Sequence, residues 1–531
     1  MDSTVKLRWP LTGAAAVALA VLAWPMPSAP RWEITPDTSL LQGKANYLAN
    51  VAASKPATRP NVLLILADDL GKYDISHYGR LPVQTPHIDA LAHAGMRFDN
   101  AYATAAICAP SRAALLTGRY QNRFGFESQP MQRYVRNLGE FLGFRYVINT
   151  DAMQPFLSDA YPTEQQLLAQ GLPPSEITLA DAFQAAGYHT GIIGKWHLGY
   201  AAGNHPHAFG FDYQYGFMEA FTLYADEADP SIENHYHDLF WEEHIWSMQR
   251  TGASAITRDS ETISEGRYLT DAIVEETKAF IGRANDSARP FFAFVPFSAP
   301  HTPFQARKDD LDTIDGAADQ NQRVYLAMIK RLDWALGELM QYLEGTDQID
   351  DTIVVFTSDN GGAAYTGATD NGPLRAGKFT QFQGGLEVPL FVRWGSIVPP
   401  RQVSQPVLLT DLYATLLTAA GLPLAKDRTY DSLNLLSHPA ARPIFWRSDF
   451  NRTARDGNWK LLHNKHSGSV LLYDLSNDPG ELNNVAADNT EIVRKLMTAL
   501  DDWEQELAPP LWPRVMNYLF EDAQGEHWFA I

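Results

Sequence analysis

Four stretches of this chain are apolar without interruption and end abruptly in polar residues. Val62-Leu63-Leu64-Ile65-Leu66 runs into Asp68-Asp69, and Thr190-Gly191-Ile192-Ile193 is followed by Lys195 and His197. Phe291-Phe292-Ala293-Phe294-Val295 leads to His301, and Thr352-Ile353-Val354-Val355-Phe356 to Asp359-Asn360. Short apolar runs with no alternation fit strands buried on both faces. Between them the pattern lengthens to a helical period over 178–186, 270–283 and 323–344, the last with Tyr325, Met328, Leu332, Leu336, Leu339 and Leu343 on one face. Strands alternating with such helices predict a parallel sheet covered on both sides, in which ligands gather outside the carboxyl ends of the strands. The polar residues that close the four runs are therefore expected to converge.

After a helical stretch at 411–420 the pattern changes to short strand candidates at 443–447, 459–463 and 469–473, closed by a helix over 490–507. The expected fold class is α/β: a large mixed, mostly parallel sheet sandwiched by helices over 60–422, with a smaller C-terminal antiparallel-sheet subdomain, α+β, over 423–531. Residues 30–59 show no clear period and read as a tether over the surface. Ahead of them, Lys6 and Arg8 precede the apolar stretch Leu11–Trp24 and then Pro25-Met26-Pro27-Ser28-Ala29. That order reads as a secretory signal peptide over 1–29, removed near Ala29, and implies export to the periplasm or the outside. The stretch is shorter than the roughly 20 residues a membrane span requires, so no stable membrane insertion is expected; an uncleaved leader acting as an anchor is the alternative.

With 531 residues, 45% of them apolar, the chain can bury a large core. Its 62 acidic residues against 42 Lys plus Arg give a net charge of −20. A broad basic footprint for nucleic acid is excluded, and an anionic substrate must be met by a local cluster of cations. No long-range attraction is available to a heavily charged anionic polymer.

The single cysteine stands in Ile107-Cys108-Ala109-Pro110-Ser111-Arg112, followed by a helix-like run to Thr117-Gly118-Arg119. A lone cysteine is often a small buried hydrophobe, whereas an unpaired one in an exported chain is a candidate reagent. A helix starting near Ser111 would turn free backbone N–H groups toward residue 108, and Arg112 adds a planar cationic fork; both favour an oxyanion there. Asp68, Asp69, Asp359 and Asn360 offer only oxygen, which suits a hard cation, calcium or magnesium, rather than zinc. Such pairs are more often turns or caps, but both follow buried runs directly. Gly361, Gly362, Gly384 and Gly385 read as turn residues with positive φ.

From residue 60 to about 400, and more loosely to 510, the chain resembles a type I, formylglycine-dependent sulfatase of the alkaline phosphatase superfamily. The matching pieces are Ala67-Asp68-Asp69-Leu70-Gly71, the cysteine motif, Gly194-Lys195-Trp196-His197-Leu198-Gly199, Pro300-His301, Ser358-Asp359-Asn360-Gly361-Gly362 and Leu374-Arg375-Ala376-Gly377-Lys378. The resemblance implies that a maturation enzyme converts Cys108 to formylglycine (3-oxoalanine). It implies that Asp68, Asp69, Asp359, Asn360 and residue 108 hold one divalent cation, usually Ca2+, with Mg2+ the alternative. It further implies that Arg112, Lys195, His197, His301 and Lys378 hold the sulfate and handle its protons. The implied activity is sulfate ester hydrolysis: a hydrated aldehyde attacks sulfur, His301 protonates the departing alcohol, and His197 takes a proton as the covalent sulfate is expelled.

Two long segments, 126–170 and 219–258, exceed a compact version of that family. The second holds Tyr224, His235, Tyr236, His237, Phe240, Trp241, His244 and Trp246, rings that suit sugar faces but also pin loops. His205 and His207 are weaker candidates. A sulfated carbohydrate is the expected substrate, a small molecule or short oligosaccharide more comfortably than a heavily sulfated polymer. The rivals are a phosphonate monoester or phosphodiester hydrolase of the same superfamily, and a non-catalytic sulfoglycan-binding protein. Sugar identity, sulfate position and oligomeric state are left open.

Overall fold

The computed structural model describes residues 18–54, 59–237, 240–395, 397–437 and 440–531; the first part of the leader reading, residues 1–17, lies outside them. Ten strands form the central sheet: β1 (Asn61–Asp68), β2 (Met96–Phe98), β3 (His189–Lys195), β4 (Tyr213–Phe217), β5 (Thr257–Arg258), β6 (Glu261–Thr262), β7 (Phe291–Pro300), β8 (Thr352–Ser358), β9 (Leu390–Trp394) and β10 (Arg401–Val403). Their order is β10-β2-β9-β8-β1-β7-β3-β4-β5-β6. The four apolar runs are β1, β3, β7 and β8, and with β4 they form its parallel centre. In the middle, Val62 of β1 faces Ile353 on one side and Phe292 on the other. Antiparallel strands flank that centre on both sides, which makes the sheet mixed.

The helices on and around the sheet include α1 (Thr38–Ala53), α2 (Pro86–Ala94), α3 (Cys108–Thr117), α4 (Leu138–Tyr146), α5 (Leu179–Ala185), α6 (Phe240–Met248), α7 (Leu269–Asp286), α8 (Gln320–Gly345) and α9 (Asp411–Ala419). Alternate side chains of one strand feed two separate cores. Val62, Leu64 and Leu66 pack with α3, α5 and α9, and Leu63, Ile65 and Ala67 with α7 and the whole apolar stripe of α8. A strand dry on both faces needs no polar residue until it ends, which is why the four runs stop at chemistry.

The segment read as a tether is not one: residues 38–53 are the helix α1. Asp37 caps it, accepting from Ser39 N and Leu40 N at 2.9 and 3.0 Å. Tyr47 and Val51 are its only buried side chains, and Lys44 pairs with Asp181 of α5 at 2.8 Å. Two buried positions in four turns leave almost no periodic signal.

The C-terminal subdomain is an antiparallel sheet of β11 (Ile444–Ser448), β12 (Asn451–Asp456), β13 (Trp459–Asn464) and β14 (Val470–Asp474), packed by α10 (Thr490–Glu504). A hairpin of β15 (Met516–Asp522) and β16 (Gly525–Ala530) pairs with the short strand Met153–Pro155. Neither β12 nor the hairpin shows in the apolar pattern. In β12 the buried Arg452 bonds His463, Asp501 and Glu504, so its charge hides a buried strand. No described helix is long and apolar enough to cross a membrane.

Candidate active site

The ends of β1, β3, β7 and β8 deliver Asp68-Asp69, Lys195, His301 and Asp359-Asn360 to one buried cluster, and the first turn of α3 brings Cys108. The turn after β1 is tight. Asp69 has φ of 65°, its N–H donates to Asp359 Oδ1 at 3.3 Å, and Leu70 N donates to Ser358 Oγ at 3.0 Å. These bonds fasten the ends of β1 and β8 side by side. Helix α3 begins at Cys108 rather than near Ser111, with Ile107 as its extended N-cap. Residue 108 thus belongs to the first helical turn, where backbone N–H groups lack intrahelical partners.

Each acidic group is met by a cation. Arg112 donates through Nε to Asp359 Oδ2 at 2.8 Å and through a terminal nitrogen to Lys195 O at 2.9 Å; its other terminal nitrogen lies 3.4 Å from Asp68 Oδ2. Lys195 Nζ reaches Asp68 Oδ2 at 2.5 Å, and Lys378 Nζ reaches Asp69 Oδ2 at 2.8 Å. Cys108 Sγ lies 3.4 Å from Asp68 Oδ1 and 3.9 Å from Asp69 Oδ1. His301 Nε2 is 3.6 Å from Asp69 Oδ2. Its Nδ1 sits 2.6 Å from Thr302 O; a carbonyl only accepts, so Nδ1 carries the proton and Nε2 faces the cluster.

Burial would raise the Asp68 carboxyl, but Lys195, His301, Arg112 and Lys378 overcome it and hold the group well below the usual carboxylate range. Asp359 moves the other way, raised by burial and by the neighbouring Asp68 charge. Burial pushes the Cys108 thiol well up despite Lys195 and Lys378. The same burial, with Lys378 and Lys195 nearby, pushes His301 down to about 4. His197 is held well below its ordinary value by burial, Lys195 and Arg112. Both resting imidazoles are neutral at neutral pH.

Several polar atoms in this dry cluster have no hydrogen-bond partner among the described residues: both nitrogens of His197, Asn360 Oδ1 and one terminal nitrogen of Arg112. Such orphans are costly unless a ligand completes them. One ligand atom each from Asp68, Asp69, Cys108 and His301 lies within 4.8 Å of the others, so a metal could sit there. Asn360 donates through Nδ2 to Asp69 Oδ1 at 2.7 Å and leaves its amide oxygen free. The carboxylates with this orphaned oxygen fit a hard, oxygen-seeking cation. His301, expected only as a proton carrier, shares the cluster.

All expected site residues meet here, but the aromatic segment divides. Tyr224 is fully buried, and its hydroxyl donates to His301 O at 2.9 Å; it supports the histidine from behind and presents no face to a sugar. His237 bonds Asn321, Trp246 is buried against Glu242, and Tyr236 is exposed. Trp241 stacks on Phe144, centroids 6.1 Å apart, joining the two long segments. His205 and His207 bond local loop atoms, Ser260 Oγ and Phe211 O, and stay outside. The glycines also differ from expectation. None of the four has positive φ; a Cβ on Gly361 would lie 1.8 Å from Gly384 O, so close backbone approach is what requires glycine.

Asn371 was missed. It accepts from Gly362 N and donates to Gly362 O, both at 2.9 Å, and donates to Ala376 O at 3.1 Å. It thereby joins the loop after β8 to the loop bearing Lys378. Asn371-Gly372-Pro373 is a turn signal, which hid this structural role.

Residues 60–422 match the sulfatase family model. The chain belongs to the type I sulfatase family of the alkaline phosphatase superfamily. It is a sulfatase, a sulfuric ester hydrolase. Human N-acetylgalactosamine-6-sulfatase is 31% identical over 503 residues, spanning 86% of this chain and 88% of that protein. An N-acetylgalactosamine-6-O-sulfatase of Bacteroides thetaiotaomicron is 29% identical over 547 residues, 88% and 97% of the two chains. Among solved structures, Ps i-CgsB in complex with k-i-k-neocarrahexaose superposes with a TM-score of 0.71 at 28% identity, covering 86% of this sulfatase and 95% of that chain.

Proposed function

We propose that this sulfatase removes sulfate from a short sulfated carbohydrate, with Cys108 matured to formylglycine. One divalent cation, Ca2+ ahead of Mg2+, would be held by Asp68, Asp69, Asp359, Asn360 and residue 108. The observation that carries this is the buried meeting of Asp68, Asp69 and Asp359 with Arg112, Lys195 and Lys378 around residue 108, beside an imidazole, His197, with neither nitrogen satisfied. The names of the two curated relatives, both enzymes of a sulfated amino sugar, support the carbohydrate part.

When bound, the cation supplies Lewis-acid stabilisation of developing oxygen charge, and the hydrated aldehyde supplies a hydroxyl nucleophile that a buried thiol would not. Lys195 and Lys378 stand where they offset charge on sulfate oxygens in a site that excludes water. Arg112, held at two of its nitrogens, keeps one for an oxyanion. His301, oriented by its Nδ1–H bond to Thr302 O, offers Nε2 as the atom from which a proton reaches the departing alcohol. The negative ester adds the charge that favours protonating that nitrogen. His197, neutral and unpartnered, is suited to take a proton as sulfate leaves.

The leader reading supports export to the periplasm or the outside, with a formylglycine-generating enzyme as the maturation partner. The test has two parts. Mass spectrometry of the peptide containing residue 108 should show CHO in place of CH2–SH, and steady-state kinetics should favour a sulfated sugar over a matched phosphate diester. An active protein with an intact thiol contradicts the formylglycine assignment, and preference for the diester contradicts the substrate class.

A further inference from the structure

One ring at the rim of the cluster holds neither residue 108 nor its partners. Tyr365 stands in the turn Ala364–Thr366, just after the strand end that bears Asp359 and Asn360. It is half-buried and lies against Phe379, centroids 5.2 Å apart with planes at 23°. Together with Trp241, the two rings pack on Ile107, Ala376 and Phe382. Ile107 precedes Cys108 and Phe379 follows Lys378, so the stack borders both sides of the reacting centre. Two contacts fix that border: Phe379 N donates to Ala106 O at 2.8 Å, and Lys378 Nζ stands 5.3 Å from the Phe379 ring centroid.

The turn is secured from behind. Thr366 O accepts from Asn321 Nδ2 at 2.7 Å, and Asn321 Oδ1 meets His237 Nε2 at 2.9 Å. The backbone under Tyr365 is thus anchored to α8 and to the long segment 219–258, while its hydroxyl has no hydrogen-bond partner among the described residues. Buried tyrosines beside the site behave differently: Tyr224 donates to His301 O at 2.9 Å and Tyr325 to Asp74 Oδ2 at 2.6 Å. The free hydroxyl sits in the field of Lys378, Asp69, Glu242 and Cys108, and burial pushes its pKa up, so it remains a neutral donor. An anchored, half-exposed ring with an unpaired donor beside an ester site is placed to meet the alcohol side of the substrate.

We propose that Tyr365, backed by Phe379, binds the sugar that carries the sulfate: its hydroxyl donates to a sugar oxygen, and the exposed edge of the stack takes sugar C–H groups. This rests on the carbohydrate reading above. The substrate class it selects is an ester of a polyhydroxylated alcohol, in preference to one of a bare aryl alcohol.

Tyr365→Phe removes the oxygen and keeps the stack. Steady-state kinetics of the matured enzyme are compared on 4-nitrophenyl sulfate, whose leaving group has no further hydroxyl, and on the sulfated sugar the wild type cleaves best in a panel that includes N-acetylgalactosamine 6-sulfate. The expected result is a fall in kcat/KM of about 3- to 10-fold on the sugar ester, the equivalent of one neutral hydrogen bond, with less than about 2-fold change on the aryl ester. Aryl turnover also reports that the variant folds and matures. An unchanged sugar rate, or an equal loss on both esters, overturns the assignment of Tyr365 alone. A wild-type enzyme that cleaves the aryl ester and no sulfated sugar refutes the carbohydrate reading, and the assignment falls with it.

Discussion

Two of the clusters of buried charge among the described residues are built in different ways. At the strand ends, Arg112, Lys195 and Lys378 meet three carboxylates, yet His197, Asn360 Oδ1 and part of Arg112 are left without partners. At the seam between the sheet and the C-terminal subdomain, Lys460 Nζ pairs with Glu481 Oε1 at 2.8 Å and reaches Gln383 Oε1 at 3.0 Å. Gln383 in turn donates from its backbone to Glu481 Oε2 at 2.6 Å and from its side chain to Glu387 Oε2 at 2.7 Å. Glu387 closes the chain on Lys72 at 2.5 Å. Both clusters are dry. At the seam, Glu481 Oε1 makes no hydrogen bond but has its cation, Lys460 Nζ, 2.8 Å away, whereas the strand-end cluster leaves both His197 nitrogens and Asn360 Oδ1 with neither a hydrogen bond nor a counter-charge. Polar atoms left with neither a hydrogen bond nor a counter-charge beside the ion pairs, not buried charge as such, distinguish the strand-end cluster from the seam.

The sharpest break between the two comes from Cys108→Ala. It removes the residue proposed to react while leaving the surrounding ion pairs in place, so turnover should fall by about 10³-fold or more. Thermal stability should change little, because a small buried side chain is exchanged for a smaller one. A variant that retains a tenth of wild-type kcat would end the view that this cluster works through residue 108.

Lys460→Met makes the converse cut. It strands Glu481 without its cation, and breaking a buried pair costs about 3–5 kcal/mol. Chemical denaturation should show that loss while kcat per folded molecule stays near wild type. The double replacement Lys460→Met with Glu481→Gln should recover most of the stability, since an apolar and polar pair has no charge to desolvate. Burial already pushes Lys460 down and Glu481 up, which is the direction expected of a pair held against its solvation preference. If the double variant is as unstable as the single, the seam is not a self-contained unit.

A buried carboxylate outside both clusters tests what happens with hydrogen bonds but no cation. Asp333 on α8 accepts from His87 N at 3.0 Å and Ile88 N at 2.8 Å, capping the start of α2 across the helix interface. Burial pushes it up to about 7, against those two bonds. A carboxyl raised on folding contributes stability that is fully present below its ordinary value and is lost as pH rises through the folded one. Between those two values the folded chain holds one proton that the unfolded chain has released, and each pH unit of that interval is worth roughly 1.4 kcal/mol. The chain should therefore lose about 2–4 kcal/mol between pH 4 and 8 from this group. Asp333→Asn keeps the acceptor oxygen and should flatten that slope in melting experiments across the same window.

The central sheet and the strand-end part of the candidate site were legible in the sequence for one reason. Strands buried on both faces, such as Val62–Leu66, cannot carry polar side chains until they leave the core, so their ends announce the site. Where burial is partial or charged, the signal fades. Helix α1 hides because two of its side chains face inward, and β12 because its arginines are buried with partners. Tyr365 and Asn371 were illegible for a different reason: each stands in an irregular loop, and its role depends on which distant backbone lies opposite. Residue type and spacing carry no information about that.

Arg375 joins the two clusters, and it yields the smallest effect with the finest resolution. It stands three residues before Lys378 and spends its fork on the C-terminal subdomain: Asp522 Oδ2 at 2.8 Å, Tyr473 Oη at 2.9 Å, Glu481 O at 3.0 Å and His527 Nε2 at 3.0 Å. Its guanidinium also lies 4.0 Å from the Phe382 ring centroid. The backbone between Arg375 and Lys378 is bent, with Ala376 at φ of 59°, and Asn371 holds Ala376 O. Arg375 is thus a positioning residue: it fixes one end of a short strained loop whose other end places an ammonium on Asp69. Lysine at this position keeps the charge but has no planar fork, so it can satisfy only part of that partner set. Arg375→Lys should lower kcat about 10-fold with KM changed less than about 2-fold, because a displaced Lys378 weakens stabilisation of charge that develops in the transition state. A purely structural role would lower the melting temperature and leave kcat per folded molecule unchanged. If kcat holds while stability drops, the seam supports the fold and the strand-end cluster needs nothing from it.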